Sequence, residues 1–510
     1  MDAVTIEILW TRLVSVVDEA SAGFVRTSFS TLVRDSNDFA VVLTDAEGRS
    51  LAQSSLSIPS FIGTLPASVK HFIRHFGKDA MVPGDVFITN DPWKSTGHIH
   101  DVTIAMPIFR NGAILAFAAV TSHVPDIGGR LRNSGIREIF EEGLQIPSLK
   151  LVRGGVPDEA VVAFIRQNVR VPDQTMGDIW GAVAACRLLE NRLVELLTES
   201  GVDLDALGQE IRSRSEAAMR AAIEAVPDGD YSYRLEHDGF ENPVVIQSLV
   251  QIRGDRVHID YTGSSPQLPR SVNSVPVYTH AYTAYGVKAL LAPDTPNNEG
   301  AFLPITTSAP ERSILNPQYP AAGGARAQIG HLLPVAFIAA LNNVVPGRAI
   351  APGAPNSSFT IAGEHRGRRY ATVSFLNAGQ GASVARDGLS TISFPSNLGN
   401  TPIEVLEAQV PIRIIRRGTR TGSGGVGRHR GGDGIDFSFE FVGDQPAQCS
   451  FLIVRRRAAA PGLDGGAPGK VASLMLNGQP IDPNEQWELK AGDIVDIRTA
   501  GGGGYGTAAH

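Results

Sequence analysis

Residues 91–101 read DPWKSTGHIHD and run directly into the apolar stretch VTIAMPIF; Arg110, Asn111 and Gly112 follow, then AILAFAAVTS, then SHVPDIGG at 122–129. Two apolar runs flanking an Asn-Gly dipeptide read as an antiparallel hairpin, because Asn and Gly accept the positive φ angles that a two-residue turn between twisted strands requires. In such a hairpin the first and last residues face each other at strand spacing. The reading therefore brings His98, His100 and Asp101, ahead of the first strand, next to His123 at the end of the second.

The rest of the chain fits around this hairpin. DFAVVLTDAEGRSLAQ is a second hairpin with Asp45 and Gly48 at its turn, and GDVFITND is a further strand. Ile6, Leu9, Leu13, Val16 and Ala20 follow helical spacing in the first segment. Helical periodicity with charged faces fills 157–225, strands return over 231–261 with Arg253-Gly254-Asp255 as a turn, and helices are expected over 274–291 and 325–344. Beyond about residue 405, short strands alternate with glycine clusters. The fold class is α+β: multi-domain, with mixed, largely antiparallel sheets, a central helical segment and a β-rich C-terminal region. The expected divisions are 1–230, including the helical segment 157–225, then 231–404, then 405–510.

Bulk properties narrow the function. At 510 residues the chain exceeds what one core can fill. A net charge of −7 argues against nucleic acid or an anionic membrane surface as partner. Cys186 and Cys449 stand alone, so there is no disulfide framework, and a reducing cytoplasm is expected. Glu7, Arg12, Asp18 and Glu19 interrupt the first apolar residues, so no signal peptide is expected, and no run is long enough for a membrane-spanning helix.

Common motifs fail in context. Gly422, Gly424 and Gly427 spell GxGxxG, but RHRGGDG follows where a dinucleotide site needs an apolar helix. Gly469-Lys470 precedes Val471, so there is no P-loop, and neither HExxH nor GxSxG occurs. The His98, His100, Asp101 and His123 cluster offers the imidazole and carboxylate donors that suit zinc, manganese or iron(II). Asp126 in SHVPDIGG and Asp38 at the start of the DFAVVLTDAEGRSLAQ hairpin are further candidate carboxylates. The competing reading is that all of these are surface loop residues, with Asp38 a turn or cap. The glycine stretches read as turns that need positive φ, and Tyr505 in GGGGYG reads as an anchor docking the tail.

Several blocks agree with one family. NDPWKSTGHIHDVTIAMPIF resembles the NDP…GGTHLPDVT…PVF segment of the hydantoinase B/oxoprolinase family, and SHVPDIGG resembles its HHADVGG segment. LNPQYPAAGGARAQ, ARDGLSTISFPSNLGNTPIEVLEAQVPIRI, GSGGVGRHRGGDG and TAGGGGYG resemble later blocks in the same order, so the resemblance spans nearly the whole chain. It implies the metal-containing subunit of an ATP-dependent cyclic-amide hydrolase acting on a hydantoin, 5-oxoproline or lactam. It also implies a hetero-oligomer, such as a dimer of heterodimers, with an actin-like ATPase subunit of the hydantoinase A type that carries ATP. The metal ligands carry over to His98, Asp101 and His123, with Asp38 as a further ligand; zinc comes first, with manganese or iron as alternatives. Asp38 or Asp126 would orient or deprotonate the attacking water. His100 stands where the family usually has Pro, and Val124 where it has a second His, which leaves His100 as an alternative ligand. The rival implications are a subunit of an ATP-dependent ketone carboxylase of the acetone/acetophenone type, and a non-catalytic assembly subunit.

Overall fold

The computed structural model describes residues 2–345 and 347–508. The hairpin read at 101–123 forms the middle of a seven-stranded sheet. Its strands are β1 (Phe39–Asp45), β2 (Ser50–Gln53), β3 (Val86–Thr89), β4 (Asp101–Arg110), β5 (Ala113–His123), β6 (Leu149–Arg153) and β7 (Val156–Pro157), in the order β2-β1-β5-β4-β3-β6-β7, with every neighbour antiparallel. Asn111 and Gly112 carry φ of 52° and 80°, as the turn requires. The turn sets Arg110 opposite Ala113, a bulge between Ile108 and Phe109 shifts the pairing by one residue, and Asp101 then stands directly opposite His123. One strand over, Phe39 pairs with Ser122, and the His123 amide donates to the Asp38 carbonyl.

The uninterrupted apolar runs of β4 and β5 follow from burial on both faces. Val41, Ile104, Met106, Ala118 and Val120 pack against helices Ala3–Thr27 and Pro172–Ser200. On the other face Val42, Ala105, Phe117 and Ala119 meet Phe61, Leu65, Val69 and Phe72 of helix Pro59–Phe76. The sequence does not announce this last helix, because Pro66 stands inside it and an interior proline ordinarily argues against helix. In the first helix Ile6, Leu9, Leu13 and Ala20 are buried as expected, but Val17 rather than Val16 completes the stripe.

The helical segment resolves into Glu159–Asn168, Pro172–Ser200 and Leu204–Glu224. A second sheet combines Gly229–His237, Val244–Arg253 and Arg256–Asp260 with Ile305–Ser308, which joins parallel. Helices Pro276–Leu291 and Leu332–Ala340 pack beside it; the helix expected over 325–344 is broken at His331 into Ala327–Gly330 and Leu332–Ala340. A third sheet draws strands from both sides of residue 405, pairing Ser357–His365 with Arg368–Leu376 and with Ala447–Leu452. The fourth holds Ile435–Phe441 and Ile494–Arg498 inside, with Ile412–Thr419 at one edge, and a core containing Phe359, Phe437, Phe439 and Phe451 joins it to the third. The molecule is thus multi-domain α+β with mostly antiparallel sheets.

The glycine clusters are not mainly turns. A Cβ on Gly502 would stand 2.0 Å from the Gln380 carbonyl oxygen, one on Gly431 2.0 Å from that of Gly502, and one on Gly503 1.9 Å from that of Pro461. None of these three glycines adopts positive φ. Glycine is required because backbones pack against one another with no room for a side chain. Tyr505 docks the tail as expected, its hydroxyl donating to Asp464 Oδ2 at 2.6 Å and lying 2.9 Å from Asn342 Oδ1. Gly502→Ala should therefore lower the thermal midpoint by an amount equivalent to about 1–3 kcal/mol or more. Gly418→Ala, where a Cβ meets nothing within 4 Å, should stay within about 0.5 kcal/mol of wild type. Equal midpoints for the two variants would contradict the packing argument.

Candidate functional site

The loop before β4 is held open by its own polar groups. Asn90 donates to the carbonyls of Ile99 and Leu144 and accepts from the Ile146 amide, fixing the loop ends across the sheet edge. Gly97 has φ of 96°, and a Cβ there would come within 2.7 Å of Arg326 Nε, so this position of STGHIHD must be glycine. The loop delivers His98, His100 and Asp101, all buried, to the end of β5.

Asp101 divides its two oxygens. Oδ2 accepts from Thr96 Oγ1 at 2.8 Å and from Arg326 Nη2 at 2.7 Å. Oδ1 faces His98 Nε2 at 2.7 Å and His123 Nδ1 at 3.0 Å. Burial would raise the Asp101 carboxyl pKa, but the charges around it, Arg326 among them, and the hydrogen bond from His123 hold it well below the usual range, so it is a carboxylate.

His98 sets the chemical requirement. Its Nδ1 lies 3.1 Å from the Gly324 carbonyl, which only accepts, so Nδ1 carries the proton. Burial, helped by Arg326, pushes its pKa down to about 3, so the ring is neutral and Nε2 presents a lone pair. That lone pair stands 2.7 Å from a carboxylate oxygen without the alignment of a hydrogen bond. Two electron-rich atoms at that separation repel unless a cation lies between them. His123 Nε2 is also buried without a partner. His98, Asp101 and His123 each offer a donor atom within 4.8 Å of the others. Two neutral imidazoles and one carboxylate fit a divalent transition metal.

Of the remaining expected residues, Asp38 joins the group: it lines the same cavity, with Oδ2 3.9 Å from His123 Nδ1. Burial and the neighbouring Asp101 raise its pKa to about 7. His100 is adjacent, its ring stacked on His123 at 5.6 Å between centroids, but it is not among the three converging donors. The structure does not bring Asp126 to the site. Its carboxylate accepts from the Gly128 amide, the Arg170 amide and Arg170 Nη1, and so ties its own turn to the residues before helix Pro172–Ser200.

Three residues at the site are silent in the sequence reading. Arg326 also donates Nε to the Thr96 carbonyl and lies 4.0 Å from the Tyr278 ring centre. Glu142, fully buried, accepts from the amides of Gly323 and Gly324 at 3.0 and 2.6 Å and so positions the carbonyl that orients His98. Arg132 lines the cavity, and burial pushes its pKa down to about 10. Arg326 lies in the quoted ARAQ block; nothing local marks any of the three as belonging to this loop.

Fold and site together define a multi-domain α+β protein with a buried donor set of the kind mononuclear metalloenzymes use. The chain belongs to the hydantoinase B/oxoprolinase family, whose model matches residues 2–508. The beta subunit of caprolactamase from Pseudomonas jessenii is 30% identical over 536 residues, covering 99% of this chain and 91% of that one. The crystal structure of ATP-dependent caprolactamase from the same organism aligns with a TM-score of 0.91 at 27% identity, covering 99% of this chain and 91% of that chain. Nucleotide-free acetone carboxylase shares the fold, with a TM-score of 0.90 at 19% identity over 99% of this chain and 76% of that chain. No helix among the described residues is long and apolar enough to cross a membrane.

Burial at the site has a consequence for acid stability. Burial pushes the pKa of His98 down to about 3, of His237 to about 4 and of His331 to about 3, and lowers those of His100 and His123. Below about pH 6.5 the unfolded chain takes up protons that the folded chain refuses. Stability is therefore complete above the unfolded value and is lost as pH falls toward the folded values, at up to about 1.4 kcal/mol per pH unit for each histidine. Asp38 and Glu142, raised to about 7 and 8, run the opposite way and offset part of the loss. The thermal midpoint of chelator-treated protein should fall steadily from about pH 6.5 to about pH 5; a flat or rising midpoint would show that the histidines are not buried neutral.

Proposed function

We propose that this chain is the metal-holding subunit of an ATP-dependent cyclic-amide hydrolase, opening a hydantoin, 5-oxoproline or lactam ring together with an actin-like ATPase subunit that carries the ATP. The observation carrying this reading is the neutral His98 lone pair facing the Asp101 carboxylate inside a cavity. Family membership and the subunit designation of the Pseudomonas relative support it.

An amide carbonyl resists attack because nitrogen donates into it, and the amine is a poor leaving group. In this reading the partner subunit transfers a phosphoryl group from ATP to the amide oxygen, which makes the carbon electrophilic. A divalent ion, zinc first and manganese or iron as alternatives, supplies a Lewis acid and lowers the pKa of water toward about 7. His98 Nε2, Asp101 Oδ1 and His123 hold that ion. Thr96 and Arg326 keep Asp101 from rotating, and the Gly324 carbonyl keeps His98 in the ligating tautomer. Asp38, with its pKa near working pH, accepts the proton of the attacking water at Oδ2 and returns it to the departing nitrogen; breaking the C–N bond leaves an acyl phosphate, which a second water hydrolyses to the carboxylate and inorganic phosphate.

His123→Ala tests the ligand set. Metal affinity should drop by at least about tenfold, since even outer-shell losses cost that much, while circular dichroism stays that of wild type. Unchanged metal per chain would remove His123 from the set. The reaction is tested separately. The isolated chain should turn over no ATP, and with its partner ATP use should respond to cyclic amides without bicarbonate. The shared fold of acetone carboxylase supplies the rival, and a strict bicarbonate requirement with a ketone substrate would establish it.

A further inference from the structure

The cavity holds two buried arginines that differ in one respect. Arg326 is committed, with Nη2 on Asp101 and Nε on the Thr96 carbonyl. Arg132 is not. Among the described residues its guanidinium makes one hydrogen bond, from Nη2 to Ser358 Oγ at 3.2 Å, and its Nε is buried without a partner. Asp38 and Asp101 act on it only through their charges, neither in an ion pair with it, and Asp101 is already engaged by Arg326 and the histidines. Arg132 is 6% exposed and packs 5.9 Å from the Phe375 ring centre, so bulk water does not solvate it.

A buried guanidinium with open donors is costly unless something anionic completes it. Its planar fork matches the oxygens of a carboxylate or a phosphoryl group, and a lysine would not match them in the same way. We infer that Arg132 seats an oxyanion carried by the substrate, beside His98, Asp101 and His123 in the same cavity. The inference rests on the reading of that cavity as the place where an activated cyclic amide is opened. It adds a requirement: the ring arrives bearing anionic oxygen, either the phosphoryl group placed on its amide or a carboxylate of its own. Ser358 fixes one edge of the guanidinium and leaves the other free for this group.

Calorimetric titration of the full-length, metal-loaded protein distinguishes the two sources. The probes are inorganic phosphate, 5-oxoproline, which bears a carboxylate, and caprolactam, which bears none. Binding of phosphate assigns the seat to a phosphoryl group, and binding of 5-oxoproline but not phosphate assigns it to a ring carboxylate. In either case Arg132→Gln should weaken the bound oxyanion about tenfold or more, Arg132→Lys should weaken it less, and both should keep wild-type metal content. Failure of wild type to bind either oxyanion, equal affinity in Arg132→Gln, or metal loss in that variant overturns the inference. Neither ATP nor the partner is present in this titration, so its outcome is separable from failure of the hydrolase reading, which the ATP-response experiment reports.

Discussion

The site depends on a single carboxylate being pulled in two directions. Asp101 can present Oδ1 to two histidines only because Thr96 and Arg326 hold Oδ2. Remove that hold and the carboxylate is free to turn about its χ2 bond, so that the repulsion between its oxygen and the His98 lone pair would rotate it away. The restraint comes from far along the chain, since Arg326 closely follows a Gly-Gly pair that approaches the loop near enough for Gly324 to bind His98. The donors are therefore arranged before any ion arrives, which is the condition for tight and geometrically selective binding.

Burial then fixes protonation states. In water a histidine near neutral pH is partly protonated and a poor ligand; here burial keeps His98 and His123 neutral while neighbouring charges keep Asp101 ionised. The same burial raises Asp38, which lacks the close cations that Asp101 has. Two aspartates within one cavity thus diverge in proton affinity, and under the proposed function that divergence separates a ligand from a proton carrier. Glu142 contributes by geometry, its carboxyl clamping the Gly323 and Gly324 amides so that the carbonyl between loop and ring cannot drift.

What the sequence discloses and what it hides have physical explanations. The β4–β5 hairpin is legible because an Asn-Gly turn marks it and brings the far ends of its strands together; the register counted from that turn alone sets Ser122 opposite Asp101, and the bulge between Ile108 and Phe109, which the sequence does not mark, moves His123 into that place. Asp38 is legible only as a carboxylate at the start of a strand and through the resemblance; its place beside His123 comes from the pairing of β1 with β5, which no turn dictates. Arg326, Arg132 and Glu142 are not, because they reach the site by tertiary packing, which leaves no periodic trace. Asp126 misleads because a carboxylate beside a candidate ligand looks identical whether it faces a metal or, as here, Arg170. The glycine clusters pass for turns because composition records the absence of a side chain but not its cause.

That cause connects the far end of the chain to the cavity. The Gly503 amide donates to the Pro352 carbonyl, and the Ala382 amide donates to the Gly503 carbonyl, so the tail holds the segment leading into strand Ser357–His365 from one side. This strand carries Ser358, the hydroxyl that receives Arg132. The histidine wall of the cavity is built by the first sheet and the arginine-seating wall by the third, and the glycine packing sets the position of the latter. A side chain at Gly503 would push against the Pro461 carbonyl rather than against anything in the cavity, yet the displaced tail would take Pro352 with it. Close backbone packing at glycines remote from His98, Asp101 and His123 is thus one of the constraints that bring the two walls to a common distance.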